Sequence, residues 1–258
     1  MSWSSRRRFT YSFVAIIALI VVIGVPAFAL YYKAPTCFDG KMNGSETGVD
    51  CGGSCRRLCQ NSFYPPRVAW GGAKFEKLAD GLYNVSALIE NQNIDAGAND
   101  VPYRMALFDN KGLSIVEREG RVDLYPHRNS LAFESAVDVG KRIPSKISFE
   151  FIEAPKWFKS RDTLGGIAIV DKKYTEDDTG SSLEITLENR TLLPYNNLLV
   201  SVVLYDREGN VIGFSRTIVD SIEPKNGKEI ASYTWPINRK GLVTSIEVLP
   251  IVTPIADR

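Results

Sequence analysis

The feature of this 258-residue sequence that most restricts its fold is an internal repeat at an offset of 97 to 98 residues. The repeat consists of three matched pairs of segments. These are Val85–Gln92 with Leu183–Arg190, Tyr103–Gly112 with Val200–Gly209, and Ser148–Phe151 with Ser245–Val248. The register holds over about 65 residues, so the sequence predicts two copies of one structural unit.

The matched segments alternate apolar and polar residues, as β-strands do when one face is buried. In Leu183–Glu188 the aliphatic residues fall on one face and the polar residues on the other. Asp109–Gly112 and Asp206–Gly209 predict hairpin turns, because aspartate bonds nearby backbone amides and glycine accepts a positive φ. The sequence therefore predicts an all-β fold of two tandem antiparallel β-sandwiches, immunoglobulin-like or fibronectin III-like, after one N-terminal transmembrane helix.

The second copy carries a family resemblance. Leu199–Gly213, preceded by Leu187–Thr191 and followed by Ile222–Pro224, resembles the FxLYD-type domain, a bacterial extracytoplasmic β-sandwich related in pattern to the LEA type 2 fold. The resemblance covers residues 165–258 and extends more loosely to residues 63–155. It implies a seven-stranded or similar sandwich and an envelope location, and it supplies no catalytic residues.

The N-terminal segment predicts a membrane anchor. Phe9–Tyr32 contains no charged side chain. As a helix, this run is long enough to cross the hydrocarbon core of a membrane. Arg6–Arg8 precede this stretch and only Lys33 follows closely, so we expect a single-pass protein with a cytoplasmic N-terminus and an extracytoplasmic remainder. The alternative is a signal peptide cleaved after Ala27–Ala29, and a helix that ended early at Pro26 would weaken the anchor interpretation. Both interpretations export the rest of the chain.

All four cysteines lie within 23 residues directly after the anchor: Cys37, Cys51, Cys55 and Cys59. An even number in an exported, apolar-poor segment predicts two disulfides, whose pairing the sequence leaves open. A structural zinc site is the alternative, although the spacing of the cysteines is unlike that of zinc ribbons.

The first gap between cysteines resembles an EF-hand loop. Residues 39–50 place oxygen-bearing side chains at loop positions 1, 5, 7, 8, 9 and 12, with Gly44 at position 6. Asp39, Asn43, Glu46 and Asp50 are the candidate ligands of a weak calcium site. The alternative is a turn-rich loop, since a lysine occupies the third position. The whole cysteine-rich run resembles a short module of bacterial envelope proteins, which supports location more than activity.

Composition excludes several classes of function. The formal charge is +1, so no nucleic-acid partner is expected. His127 is the one histidine, which argues against most hydrolase templates, and it is expected in a solvated turn. Trp70, Trp157 and Trp235 are expected to pack against the sandwiches, and Lys156–Arg161 to form a solvated linker.

The predicted organisation has six parts. They are a cytoplasmic tail (1–10), an anchor (11–32), a cysteine-rich stalk (33–62), a first sandwich (63–155), a linker (156–164) and a second sandwich (165–258). We expect a non-enzymatic binding or scaffolding protein of the cell envelope that contacts a protein partner through sandwich edges or the loops Asn91–Pro102 and Asn189–Asn197. The alternatives are a structural spacer without a ligand and, last, an exported enzyme accessory.

Overall fold

The structure is a computed structural model that describes residues 3–60, 63–160, 166–236, 239 and 241–252, with backbone alone for residues 3–8, 29 and 70. The described part therefore omits Arg161, residues 162–164 of the predicted linker and the Trp70 side chain. The chain forms two compact units, Met1–Gly53 and Ser54–Arg258. The first contains all of the helix, and the second contains all of the described strands.

The first unit begins with a helix in three parts. These are α1 (Trp3–Leu19), a π-helical segment (Ile20–Gly24) and α2 (Val25–Tyr31). Pro26 has no backbone N–H, and its ring crowds the preceding turn, which the wider π-helical turn relieves. The helix therefore continues past Pro26 to Tyr31. Within it, Phe9–Phe28 has a mean hydropathy of 2.5 and no buried residue, so it is long and apolar enough to span a membrane or to act as a signal sequence.

The second unit consists of β-strands, which confirms the all-β prediction. Their bounds are β1 (Arg67–Ala79), β2 (Leu82–Glu90), β3 (Ala96–Phe108), β4 (Ser114–Leu124), β5 (Asn129–Asp138), β6 (Lys146–Phe151), β7 (Phe158–Lys159), β8 (Ile167–Glu176), β9 (Ser181–Asn189), β10 (Tyr195–Tyr205), β11 (Val211–Ile222), β12 (Gly227–Trp235) and β13 (Ser245–Ile251).

The strands form two sandwiches of the same topology. In the first sandwich the sheet β1-β2-β5 faces the sheet β4-β3-β6; in the second, β8-β9-β12 faces β11-β10-β13. All of the described strand pairs are antiparallel. Each copy of the repeat thus supplies six strands in the same order, one fewer than the family resemblance implies, and β7 pairs with the start of β3.

Each sandwich has its own apolar core. The first core includes Val85, Ile89 and Met105, and the second includes Leu183, Ile185 and Leu187, all at most 2% exposed. In β9 the alternation read from the sequence is reproduced, because burial alternates along the strand. Burial of these aliphatic side chains is the main favourable contribution to the stability of each sandwich.

A third apolar cluster joins the two sandwiches. Leu88, Leu131, Val203, Phe214 and Leu249 are buried together, and they come from strands of both sandwiches. The outer face of the β1-β2-β5 sheet therefore packs against the outer face of the β11-β10-β13 sheet. We call this contact the joint.

Both predicted hairpin turns are formed, and in the same way. The Asp109 carboxylate accepts the backbone N–H groups of Lys111 and Leu113, and the Asp206 carboxylate accepts those of Glu208 and Asn210. The glycine that ends each turn has a φ near +80°, a conformation that glycine adopts without a steric penalty.

The predicted linker begins with residues that are packed onto the first sandwich. Trp157 is 3% exposed and belongs to the first core, and Phe158–Lys159 forms β7. The Leu58 N–H donates to the Trp157 carbonyl over 2.9 Å. Moving a large aromatic ring from such a core into water costs free energy, so Trp157 holds this segment against the first sandwich.

Candidate functional site

The joint encloses a cavity of about 140 Å³ between the two sandwiches. Its walls come from the end of β4, the β4–β5 turn and β5 of the first sandwich, and from β10, β11 and β13 of the second. One side is apolar and is formed by Val122, Leu131, Leu199, Leu249 and Ile251. A cavity of this size holds a molecule of about one aromatic ring.

Arg216 forms the polar floor of the cavity. Its Nε donates to the Ser201 hydroxyl over 2.9 Å, and its Nη2 donates to the Leu131 carbonyl of the first sandwich. The guanidinium carbon also lies 5.3 Å from the centroid of the Phe133 ring. Desolvation by burial is the chief reason that the pKa of Arg216 is lowered. The guanidinium nevertheless stays charged at neutral pH. The cavity therefore contains a fixed positive charge.

Two further arginines line the same cavity. The Arg121 Nη1 donates to the Asp100 carbonyl over 3.0 Å, and the Arg128 guanidinium carbon lies 6.0 Å from the centroid of the Tyr125 ring. The opposing charges are the carboxylates of Asp100 and Asp123. The lining thus contains three guanidiniums and two carboxylates, and the carboxylate of Glu134 also acts electrostatically on Arg216.

Asp123 is already engaged within the protein. Its carboxylate accepts the Asp100 backbone N–H over 2.9 Å. Burial is the main reason that the pKa of Asp123 is raised, and the backbone hydrogen bond offsets part of that rise. Because Asp100 itself is exposed, its charge is screened by water more than the charge of Arg216.

Two residues of the lining, Ser130 and Tyr125, carry hydroxyls that are buried beneath the surface of the cavity. Ser130 and Tyr125 are each 4% exposed, and neither hydroxyl has a hydrogen-bond partner in the structure as described. The backbone of Val252 approaches the Tyr125 hydroxyl, and burial raises the pKa of that hydroxyl well above its ordinary value. Each of the two hydroxyl oxygens has less than 1 Å² of accessible surface, so neither faces the open space of the cavity.

The side chains of the candidate calcium loop accept hydrogen bonds from the loop's own backbone. The Asp50 carboxylate accepts the Gly40 N–H through both oxygens at 3.0 Å, and the Glu46 carboxylate accepts the Asn43 N–H at 3.2 Å. The Asn43 amide donates to Asp39 over 2.9 Å, and this hydrogen bond is the chief reason that the pKa of Asp39 is lowered. Over the described part of the chain, Asp39, Glu46 and Asp50 do not bring three carboxylate oxygens within 4.8 Å of one another. Calcium binding stays a prediction.

The four cysteines Cys37, Cys51, Cys55 and Cys59 are all disulfide-bonded. The prediction of two disulfides is confirmed, and no thiol remains for the alternative zinc site. In a segment with few apolar residues, such cross-links restrict the unfolded chain and thereby favour the folded one.

The two loops proposed as contact sites are shorter than the sequence indicated. β3 begins at Ala96, inside the expected loop Asn91–Pro102, and β10 begins at Tyr195, inside Asn189–Asn197. Ala96 and Ala98 are fully buried, and only small side chains fit there because β7 pairs alongside.

The asparagine at the start of each of these loops is structural. Asn91 and Asn189 are at most 1% exposed and occupy equivalent positions of the repeat. The Asn189 amide donates to the carbonyls of Leu193 and Ile222, over 2.8 and 3.0 Å, and the Asn91 amide makes the two corresponding bonds. This explains why the asparagine is identical in both copies of the repeat.

Both loops expose aliphatic side chains beyond these asparagines. Ile94 is 78% exposed in the first loop, and Leu192 and Leu193 are 78% and 74% exposed in the second. Tyr64, 68% exposed, is attached to the first loop by backbone hydrogen bonds with the Asn93 amide. His127 is exposed as expected, and its backbone N–H donates to the Asn93 carbonyl.

Sequence reasoning missed the cavity altogether. The signal for it is present in β10, where Leu198–Tyr205 carries no charged residue on either face. A strand without charges on either face is typical of burial on both faces, and here the second face forms the joint.

Comparisons with known proteins do not assign the chain to a family. No family model matches the sequence, and no curated protein matches it. Among solved structures, a Bacteroides fragilis protein described as a beta-galactosidase aligns at 10% identity over 71% of this chain and 34% of its own, with a TM-score of 0.25. A beta-glucuronidase of glycoside hydrolase family 2 aligns at 8% identity over 85% of this chain and 29% of its own, also with a TM-score of 0.25. The chain thus spans about a third of the length of these proteins.

Proposed function

We propose that this chain is a non-enzymatic binding or scaffolding protein of the cell envelope, anchored by its N-terminal helix with both sandwiches outside the cytoplasmic membrane. We further propose that both sandwiches are domains of the FxLYD or LEA type 2 kind. Three features support the location: the apolar helix, the arginines that precede it and the fully oxidised cysteines.

The observation that carries the binding function is the exposure of aliphatic side chains at the same loop in each copy of the repeat. Exposed aliphatic residues at loop tips are typical of contacts with a protein partner. Ile94 follows Asn93, whose amide bonds to the backbone of the exposed Tyr64, and Leu192 and Leu193 are adjacent in sequence. Each loop is braced by its buried asparagine, so these side chains are presented on a rigid support.

A structural spacer is the second candidate, and the joint favours it. The joint buries five large apolar side chains from both sandwiches and therefore fixes their relative orientation. A spacer requires this rigidity but does not require exposed aliphatic residues at equivalent loops.

Photocrosslinking in intact cells separates the two candidates. We would place p-benzoylphenylalanine at positions 94 and 192, and at position 143 as a control, since Ile143 is 76% exposed in a different turn. The binding proposal expects one envelope protein to be crosslinked from positions 94 or 192. It also expects Leu193→Asp, in a chain with the photoprobe at position 192, to abolish the product from that position. An identical product from position 143, or no product from either loop, would favour the spacer.

Location is tested separately. Alkaline phosphatase fused after residue 258 should be active if the sandwiches lie outside the cytoplasm, because the enzyme requires disulfides that form there. The mass of the purified protein then distinguishes a retained anchor from a cleaved signal peptide. An inactive fusion in cells that contain the full-length protein would contradict the proposed topology.

A further inference from the structure

We infer that the end of the first sandwich at which the chain enters it lies on an anionic phospholipid bilayer. We call this end the entry tip; it consists of residues 54–66, 91–97 and 152–160. The inference rests on the proposed anchoring by the N-terminal helix. It assigns a lipid contact to the first of the two proposed contact loops and leaves the second loop for the protein partner.

Two apolar side chains of the entry tip are held outward by a buried asparagine. Asn93 is buried, and its side-chain amide accepts the Tyr64 N–H and donates to the Tyr64 carbonyl, each over 2.9 Å. The ring of the preceding residue, Phe63, packs against the Trp157 ring at a centroid distance of 6.3 Å. The backbone is thus fixed here, while the side chains of Tyr64 and Ile94 remain exposed. At a bilayer interface, hydrocarbon accommodates an aliphatic side chain and a tyrosine ring lies at headgroup level.

The entry tip is also basic. The Lys159 N–H donates to the Arg56 carbonyl over 3.0 Å, and Lys159 pairs with Ala96, two residues after Ile94. The three segments of the tip contain four basic and two acidic residues: Arg56, Arg57, Lys156, Lys159, Asp95 and Glu153. All six are exposed. Long basic side chains extend to headgroup phosphates, and their charge attracts anionic lipid.

The covalent connection keeps a bilayer within reach of the entry tip. The helix ends at Tyr31 and the second unit begins at Ser54, so residues 32–53 connect the two. Such a segment spans at most about 75 Å when fully extended. Hydrogen bonds from Gly40 to Asp50 and from Thr47 to Cys51 shorten it. A tether of this kind raises the effective concentration of lipid, so a few side chains give a stable contact that they would not give in an untethered protein.

The second loop differs from the first in its place along the chain. Leu192 and Leu193 are exposed as Ile94 is, but the chain reaches their sandwich only after passing through the first one. The tether therefore does not act directly on the second loop. Its aliphatic pair is left for the protein partner of the proposed function.

Photocrosslinking to lipid tests this inference. Full-length protein with p-benzoylphenylalanine at position 94 is reconstituted in vesicles of phosphatidylethanolamine and phosphatidylglycerol and irradiated, and the mass of the intact protein reveals added phospholipid. Position 143 is the control, because Ile143 is exposed in the turn that follows β5, at the opposite end of the same sandwich. We expect position 94 to give at least about fivefold more lipid adduct than position 143, because the probe at the tip lies at the interface.

Two variants and a change of lipid locate the contact. Tyr64→Asp, in a chain with the photoprobe at position 94, should lower the lipid adduct at least about threefold, because the ring is lost and a carboxylate is repelled by anionic headgroups. The bonds between Tyr64 and Asn93 use the Tyr64 backbone, so the variant should keep the shape of the tip. Leu113→Asp is the matched control, since Leu113 is exposed in the β3–β4 turn at the opposite end. Phosphatidylcholine in place of phosphatidylglycerol should also lower the adduct.

The inference is overturned if positions 94 and 143 give equal lipid adducts, if Tyr64→Asp and Leu113→Asp have the same effect, or if the adduct is as abundant without anionic lipid. A protein product from position 94 in cells, with no lipid adduct in vesicles, would assign the first loop to the protein partner instead. Loss of the anchor is seen separately, in the mass of the purified protein. Failure of this inference therefore differs from failure of the proposed location.

Discussion

Replacing Phe214 by alanine should weaken the joint while leaving both sandwich cores intact. Phe214 is 2% exposed and belongs to the cluster between the sandwiches, where its ring meets the Phe133 ring edge to face at a centroid distance of 6.0 Å. Its backbone carbonyl accepts the Trp235 indole N–H over 3.1 Å, and this bond does not depend on the side chain.

The expected loss is about 3–5 kcal/mol of unfolding free energy, the usual cost of a buried Phe→Ala substitution that leaves a cavity. The loss should reach both sandwiches, because the ring packs against strands of each. Ile218→Ala is the matched control on the same strand: Ile218 is 57% exposed, so its substitution should change the unfolding free energy by less than about 0.5 kcal/mol.

Hydrogen exchange across a urea titration measures this effect. Amides of β2 and β9 report on the two sandwiches separately, since each strand lies at the centre of its sheet. Phe214→Ala should lower the opening free energy of both strands. A loss below about 1 kcal/mol, or a loss in β9 with no change in β2, would refute the joint as a stabilising contact between the sandwiches.

Three further predictions concern buried polar groups and pH. Asn189→Ala should cost about 2–5 kcal/mol in urea unfolding, because the buried Ile222 carbonyl loses the amide donor and the Leu193 carbonyl keeps only the Thr191 hydroxyl; a cost below about 1 kcal/mol would contradict this. Glu76 and Arg239 form an ion pair across the joint at 12% and 5% side-chain exposure, so Glu76→Leu should cost about 3–5 kcal/mol and the double variant with Arg239→Met should recover most of it. The hydrogen bond from Arg142 is the chief reason that the pKa of Asp109 is lowered. The ionised Asp109 therefore stabilises the fold above the ordinary pKa of 3.8, and this stabilisation is lost as the pH falls through the folded-state pKa. In acid titrations, the difference in unfolding free energy between Asp109→Asn and the unsubstituted chain should shrink over that range.

The repeat and its turns could be read from the sequence because local chemistry determines them. Asp109 and Asp206 begin their turns by bonding amides two and four residues on, an interaction within a few residues of chain. The cores of the sandwiches followed from period-2 alternation, as β9 shows. Such features depend on near neighbours, so a single sequence is enough to predict them.

The loop lengths could not be predicted, because distant contacts decide them. The run Ala96-Gly-Ala98 reads as a flexible loop by composition, yet the pairing with β7 makes it a strand. A side chain at Gly97 would lie 3.1 Å from the Leu124 carbonyl oxygen, so glycine here permits a close approach of strands rather than a turn. The partner segment lies about 60 residues away in sequence, beyond any local pattern.

The cavity has a physical origin that the same strands explain. Arg216 lies on β11, next to the uncharged strand β10, at a position where the second face of the sheet would ordinarily meet water. Once that face packs against the first sandwich, the guanidinium has lost its water and bonds instead to Ser201 and to the Leu131 carbonyl. An arginine retained in an apolar joint carries a desolvation cost that leucine or methionine would avoid. The hydrogen bonds to Ser201 and to the Leu131 carbonyl, together with the negative charge of Glu134, offset part of that cost.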